Sequence, residues 1–483
     1  MSSKARFLKN SVIYTLGDLL PKIISFFIIP LATTYMAKEE FGIYGYITSI
    51  VGFFSMMYVL GLDGALTRFY YEYEKNKEQS KLVSTIWIFL IIYNSLLSII
   101  LIFFGQGISK FILKDIPVDP YLKLLVLFAF FTTFSSIPLV LLRLKEQALK
   151  FGIFNLLTTI VNVSLIVYFV KYKSQGAVGN LKANIITYAI FSLVYLFITL
   201  KDIKFTFSLN TLKASLRYGI PLIPHAVGAW VLMVSDRYFL KIYRDNGELG
   251  IYNLGYQFGM LVYFLIVAIN KAYVPFFLKT AEEEKDTSEK VFGDILKYYA
   301  ILIISIGFGL ALFSREIITI MVPNKEYYLA AAIVPLIAIA YVFNGFYYMS
   351  VNGIFYSKKT YILPFSTGIS AIVSLVLNYL LIPRYGMYGA ALATIGAYAS
   401  LFFITYIYSQ RFYYIKWQWK SIIGNSILCI AIYLLSMINI ESLLLSIAYK
   451  IVLFSVYIAM LFIMRILSFD KLKYYGLKIA KRK

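Results

Sequence analysis

The chain has 483 residues, of which 60% are hydrophobic and 14% are charged, and its mean hydropathy is +0.76. Soluble domains are about 45–50% apolar and about 25% charged, so this composition excludes an ordinary water-soluble fold. The formal net charge is +22, but the basic residues lie mostly between apolar runs, which favours topology signals and lipid contacts over nucleic-acid binding. Cys429 is the single cysteine, which excludes a disulfide framework and a thiolate metal site.

Apolar runs along the chain predict about fourteen membrane-spanning helices, because roughly 20 apolar residues are needed to cross a bilayer. The runs are apolar on every side, whereas the strands of a transmembrane barrel would alternate apolar and polar residues. The first six predicted spans lie near residues 11–35, 41–62, 82–104, 120–142, 151–170 and 183–200. The next eight lie near residues 215–240, 249–270, 295–314, 328–350, 361–382, 387–409, 421–438 and 443–464.

The distribution of basic residues predicts the orientation. The loops on the side of the two termini hold 31 of the 46 lysines and arginines, so the positive-inside rule predicts a multi-pass protein of the inner (cytoplasmic) membrane with both termini cytoplasmic. The segments between predicted spans are too short for a catalytic domain. We therefore expect a transporter rather than an enzyme.

Two short motifs recur along the chain. Residues 41–46 align with residues 249–254 at an offset of 208, and two glycines and an alanine in 176–183 align with those in 386–393 at an offset of 210. Six predicted helices separate the copies, so both copies have the same orientation in the membrane. The alternative is a coincidence between glycine-rich loops of similar shape.

The repeat predicts an all-α polytopic membrane protein built from two parallel six-helix bundles and two additional C-terminal helices. Its predicted parts are an N-terminal bundle at 1–208, a C-terminal bundle at 209–418, and two helices with a basic cytoplasmic tail at 419–483. Bundles of this kind favour a transporter that works by alternating access.

Ionisable residues inside the predicted spans are candidate substrate contacts, because a charge near the centre of a membrane helix costs about 2.5–3.5 kcal/mol. In the first span, Asp18 and Lys22 are spaced i,i+4 around Pro21, which places them on one face of the helix. They either neutralise each other or contact a charged substrate in the lumen.

The seventh span, the repeat partner of the first, carries further candidates. His225 is the single histidine, and it serves either a structural role or as a protonation switch. Asp236 and Arg237 follow about three turns later. Arg237 either snorkels to the membrane surface or faces the cavity and holds a phosphate.

Three more candidates lie at the predicted cytoplasmic ends of spans. Asp63 and Arg68 follow the second span, where an arginine beside aromatic residues is either a lipid-headgroup contact or an ordinary positive-inside anchor. Lys271 lies at the corresponding end of the eighth span. Positive charge is thus expected at both mouths of the predicted cavity.

The sequence contains no phosphate-binding loop, no metal-spaced set of histidines and cysteines, and no nucleophile–base constellation. We expect no cofactor and no metal. Energy for transport would come from a sodium or proton gradient, the membrane potential or the substrate gradient.

Three further motifs stand out in the sequence. They are Gly61-Leu62-Asp63 leading to Arg68-Phe69-Tyr70, Arg217-Tyr218-Gly219-Ile220-Pro221, and Gly386-x-x-Gly389-Ala390-Ala391-Leu392-Ala393. These motifs resemble those of the polysaccharide transporters or Wzx-type flippases of the multidrug/oligosaccharidyl-lipid/polysaccharide exporter superfamily. The resemblance covers essentially the whole chain, including the doubled six-helix plan and the two extra helices.

The resemblance implies a flippase that moves a polyprenyl-pyrophosphate-linked oligosaccharide across the cytoplasmic membrane for surface polysaccharide assembly. It implies a lipid-linked glycan substrate, membrane lipids and polysaccharide-assembly proteins as partners. It also implies cationic lumen residues on the first and seventh helices, a pattern compatible with Lys22 and Arg237. The alternatives are a peptidoglycan lipid-precursor flippase and a multidrug/cation antiporter of the same superfamily.

Overall fold

The structure is a computed structural model that describes residues 3–283, 285–438 and 440–467. These residues form α-helices joined by short turns and by π- and 3-10-helical segments, with no strand among them. The predicted basic tail after residue 467 lies outside the described residues.

Nine helices form the first part of the chain. The long apolar helices among them fit the predicted spans. In chain order they are α1 (Ser3–Phe26), α2 (Ile29–Tyr35), α3 (Lys38–Val59), α4 (Leu62–Lys75), α5 (Gln79–Phe104), α6 (Gln106–Leu113), α7 (Val118–Leu144), α8 (Ala148–Ile166) and α9 (Gly176–Thr199).

Ten helices follow in the second part. They are α10 (Leu209–Gly219), α11 (Ile223–Tyr243), α12 (Asn246–Gly259), α13 (Leu261–Glu283), α14 (Lys285–Leu312), α15 (Ser314–Met321), α16 (Ile333–Tyr356), α17 (Ile362–Phe412), α18 (Trp419–Leu435) and α19 (Leu443–Ile463).

Twelve helical segments of the described chain are long and apolar enough to cross a membrane. One of them is α17, whose 51 residues are divided by a non-helical backbone at Gly386, and α18 is a shorter apolar helix of 17 residues. Counting the two halves of α17 separately and adding α18 gives the fourteen spans that the sequence predicts. The all-α polytopic membrane fold is thereby confirmed.

The segments between the second and third predicted spans (63–81) and between the sixth and seventh (201–214) are partly helical, which the search for apolar runs did not predict. Helix α4 occupies most of the first segment, and α10 begins inside the second. Both are amphipathic, so a search for uniformly apolar runs passes over them. Two further short amphipathic helices, α6 and α15, were missed for the same reason.

The helices form two compact units. The first runs to Asn253 and includes residues 322–324, and the second contains residues 254–321 and the chain from Lys325 onward. The predicted domain boundaries at 208/209 and 418/419 stay a prediction.

Each unit has an aromatic-rich core. In the first unit, Trp87 of α5 stacks on Phe134 of α7 with ring centroids 5.6 Å apart. In the second, Phe277 of α13 stacks on Phe292 of α14 at 4.3 Å, and Tyr413 packs edge-on against Phe277. These rings bury large apolar areas where helices meet.

The internal repeat is visible in the helix boundaries. Helices α5 and α6 end at Phe104 and Leu113, and α14 and α15 end 208 residues later, at Leu312 and Met321. The glycines of the second motif also correspond, since Gly176 and Gly386 have φ of +49° and +55°. The repeat offset of 208 residues therefore recurs in the ends of these helices.

Replacing Gly386 by alanine is expected to lower the free energy of unfolding by about 1–2 kcal/mol, because a positive φ brings a Cβ too close to the backbone. Gly368→Ala in the same helix is the control, since a Cβ there would meet nothing within 4 Å. Heat denaturation of the purified variants in detergent measures the difference. Equal stability of the two variants would show that position 386 does not require glycine.

Candidate functional site

Helix α11 carries the predicted acid–base pair of the seventh span within the first unit. Asp236 is 4% exposed, and the Arg237 side chain is 11% exposed. The Arg237 Nη1 lies 3.1 Å from the Asp236 Oδ1, and the backbone N–H of Arg237 donates to the same oxygen at 2.7 Å. The two residues that the sequence predicted are therefore in direct contact.

Helix α12 completes this cluster. The Arg237 Nε donates to the Asn253 Oδ1 at 2.9 Å, and the Tyr252 hydroxyl donates to the Asp236 Oδ2. The guanidinium also lies over the Tyr252 ring, 5.9 Å from its centroid, and Nη1 donates to the Met233 carbonyl at 2.9 Å. Arg237 is thus paired within the protein, and whether it turns toward the membrane surface or faces a cavity stays a prediction.

One turn further along α11, Lys241 forms a second polar group. Its side chain is 1% exposed, forms an ion pair with Asp115 and donates to the Asn246 Oδ1 at 2.6 Å. Burial raises the pKa of Asp115, but the hydrogen bond from Lys241, a backbone hydrogen bond and the charges of Lys241 and Lys114 together outweigh burial and hold the pKa below its ordinary value. This ion pair connects the end of α11 with the segment between α6 and α7.

The remaining candidates of the first and seventh spans are more accessible. On α1, Asp18 is half-buried and Lys22 is exposed. His225 is exposed on the first turn of α11, before the helix reaches the buried pair. Their roles as substrate contacts stay a prediction.

The candidates at the ends of other spans lie on separate helices. Asp63 is half-buried in the first turn of α4, where its carbonyl accepts from Thr67. Arg68 is exposed on the same helix and pairs with Glu72, so it belongs to a local surface pair and not to the cluster around Arg237. Lys271 is exposed on α13 in the second unit.

Sequence reasoning missed four residues of this region. Lys241 carries a signal that was available, since it is a lysine one helical turn after Arg237 in an apolar helix. Asp115, Tyr252 and Asn253 have no such signal, because their importance comes from side chains distant in sequence.

In the described ranges, no three His, Cys, Asp or Glu side chains are grouped so that they could hold a metal ion. The cluster pairs one carboxylate with one guanidinium, and a guanidinium is a group that binds oxyanions. The expectation of no cofactor stays a prediction.

Residues 7–281 match the family described as polysaccharide biosynthesis protein. The chain belongs to this family. It is 22% identical to "Lsg locus putative protein 1" of Haemophilus influenzae, and the alignment covers 82% of this chain and 97% of that protein. It is 22% identical to the "Putative O-antigen transporter" of Shigella flexneri, with 80% of this chain and 93% of that protein aligned. It is 21% identical to the "Probable low-salt glycan biosynthesis flippase Agl15" of Haloferax volcanii, with 81% of this chain and 82% of that protein aligned.

Solved structures share the fold. The lipid II flippase MurJ in an inward closed conformation superposes with a TM-score of 0.71 at 19% identity, over 94% of this chain and all of that one. An inward-facing multidrug resistance transporter of the MATE family and MOP superfamily superposes with a TM-score of 0.61 at 15% identity, over 82% of this chain and 94% of that one. These structures show a shared fold, and the family match over residues 7–281 confirms the resemblance to polysaccharide transporters.

These similarities, together with the helices long enough to span a bilayer, make the chain a multi-pass membrane protein of a polysaccharide-transport family. The relatives named for an activity are transporters and flippases. The expectation of a transporter rather than an enzyme is confirmed.

Proposed function

We propose that this protein flips a polyprenyl-pyrophosphate-linked oligosaccharide repeat unit from the cytoplasmic to the outer leaflet, by alternating access, for surface polysaccharide assembly. The family match over residues 7–281 carries the proposal. Relatives named for O-antigen transport and glycan flipping support it, because each aligns with about four fifths of this chain.

The physics of flipping explains why such a substrate needs a protein. Each sugar hydroxyl or phosphate oxygen that entered hydrocarbon without a partner would lose hydrogen bonds worth several kcal/mol. A flippase must therefore offer polar groups at membrane depth. Few charged residues lie within the spans, and Arg237 is one that the protein keeps there by pairing.

We propose Arg237 as a contact for the pyrophosphate. A guanidinium presents several N–H donors in a fixed plane, which suits a phosphate with several acceptor oxygens. Asp236 and Asn253 hold that plane in place from two sides. Lys22, exposed on α1, is proposed as a second cation for the same substrate.

The proposal includes placement in the cytoplasmic membrane with both termini in the cytoplasm, and contacts with polysaccharide-assembly proteins. It also includes coupling to an ion gradient. Dissipating the sodium gradient alone or the proton gradient alone, while measuring flipping in vesicles, identifies the driving ion. Full activity after both gradients are removed would leave the membrane potential or the substrate gradient as the driving force.

Arg237→Ala is expected to reduce flipping about tenfold or more, because a hydrogen bond to a charged group contributes about 1.5–3 kcal/mol. The measurement is the leaflet accessibility of lipid-linked oligosaccharide in a deletion strain that is complemented with each variant. Wild type is expected to restore outer-leaflet delivery and surface glycan. Lys22→Ala and Arg237→Ala are expected to leave the intermediate in the cytoplasmic leaflet.

The control is Arg411→Ala, which removes the same charge from an exposed position near the end of α17. It is expected to complement fully. Normal glycan delivery in the deletion strain without a second copy of the gene would overturn the proposal. Accumulation of peptidoglycan precursor would support the lipid-precursor alternative, and drug sensitivity with normal glycan would support the antiporter.

A further inference from the structure

A cleft of about 380 Å³ opens in the first unit, away from the Arg237 cluster. The ends of α7 and α9 and the beginning of α8 form its walls. Its lining is divided by chemistry. The apolar part includes Pro138, Leu142 and Phe197, and the polar part includes Lys145, Lys150 and Asp202.

The polar part has a positive balance. Lys145 forms an ion pair with Asp202, with 27% and 23% of the two side chains exposed, so these charges neutralise each other. Lys150, also in the lining, is exposed. An ammonium group carries three N–H donors, so Lys145 retains donors beyond the one used by Asp202. The cleft therefore offers an anion one net positive charge and several donors.

The position of the cleft suits a membrane interface. The candidate membrane spans Val118–Leu144 and Gly176–Thr199 both end at the cleft, which favours acyl-chain depth for its apolar wall and headgroup depth for its lysines. Phe197 is 69% exposed, which leaves its ring available to a lipid chain. An apolar wall below a cationic rim matches a phospholipid with its phosphate uppermost.

We propose that this cleft binds an anionic phospholipid, with the phosphate at Lys145 and Lys150 and an acyl chain beside Phe197. A zwitterionic lipid brings its own cation to the same rim and is bound less well. The site is separate from the proposed substrate contacts at Lys22 and Arg237. It does not depend on which glycan the protein carries.

Native mass spectrometry of the purified full chain, with phosphatidylglycerol or phosphatidylcholine added in equal amounts, tests the proposal. Wild type is expected to retain phosphatidylglycerol preferentially. Lys150→Gln is expected to weaken that retention about fivefold, the effect of one lysine near an anionic surface. Lys213→Gln is the control because it removes the same charge from an exposed position on α10 outside the cleft.

Two further measurements distinguish binding of a lipid from binding of a free phosphate ion, and a specific site from a general effect of positive charge. Phe197→Ser is expected to weaken phosphatidylglycerol retention. Inorganic phosphate, added as a competitor, is expected not to displace the lipid from the wild type. Equal retention of both lipids, equal losses in Lys150→Gln and Lys213→Gln, or full displacement of the lipid by inorganic phosphate would overturn the proposal. None of these readouts depends on flipping activity.

Discussion

Lys450→Met is expected to lower the free energy of unfolding by about 3–5 kcal/mol, because it leaves the buried Glu316 without its cation. In the second unit, the Lys450 Nζ lies 2.7 Å from the Glu316 Oε2, and the Ser446 Oγ donates to Oε1 at 2.5 Å. Both charged residues are buried. The pair joins α15 to α19, so its loss also weakens the attachment of the C-terminal helix.

The acid dependence of stability checks this account. Burial raises the pKa of Glu316, but hydrogen bonds from Lys450 and Ser446 outweigh burial and hold the pKa below its ordinary value of 4.5. A lowered folded-state pKa stabilises the fold fully above pH 4.5, and that contribution is lost as the pH falls through the folded-state value. The difference in the free energy of unfolding between wild type and Lys450→Met is therefore expected to be greatest near neutral pH and to decrease in acid.

Two controls accompany this measurement. Lys420→Met removes an exposed lysine near the beginning of α18 and is expected to leave stability almost unchanged. The double variant Glu316→Leu/Lys450→Met is expected to recover most of the loss, since replacing both members of a buried pair by apolar residues is often neutral. A Lys450→Met protein as stable as wild type in thermal denaturation would contradict the role assigned to the pair.

Gly250→Ala is expected to destabilise the protein by about 3 kcal/mol or more, because the new methyl group would overlap a backbone. A Cβ on Gly250 would lie 1.9 Å from the Lys38 carbonyl oxygen. A Cβ on Gly42 would lie 2.0 Å from the Asn246 carbonyl oxygen. Gly42→Ala is therefore expected to cost as much as Gly250→Ala.

The two contacts are related by the internal repeat. Residues 38 and 246, and residues 42 and 250, are each separated by the repeat offset of 208. The beginnings of α3 and α12 thus meet through equivalent glycines. Gly107→Ala is the control, because a Cβ there would meet no atom within 4 Å. Loss of thermal stability in Gly107→Ala but not in Gly250→Ala would contradict the close approach.

The membrane spans and the internal repeat were predictable because both are properties of the local sequence. A helix that faces lipid must be apolar along about 20 residues, whatever its neighbours are. The glycines of the repeated motifs were also visible in the sequence. What Gly42 does was not visible, since only the folded chain shows that it meets the backbone of Asn246.

The candidate site was predictable only in part. Asp236 and Arg237 stood out because charges within an apolar helix are costly. Their partners Tyr252 and Asn253 did not, and the sequence left open whether Arg237 turns outward or stays with the protein. Contacts across the fold show that Arg237 is paired with Asp236 and Asn253, and its role stays a prediction.

The sequence by itself determined the membrane-spanning character of the chain, its doubled helical plan and the helix that carries the buried charges. Each of these depends on properties that act within one helix: its apolar length, its spacing and its charge. Only the tertiary structure decided which charges neutralise one another, as for Lys241 with Asp115 and Lys450 with Glu316. An ion pair depends on a distance of a few ångström between residues far apart in the chain, and that distance exists only after the helices have packed.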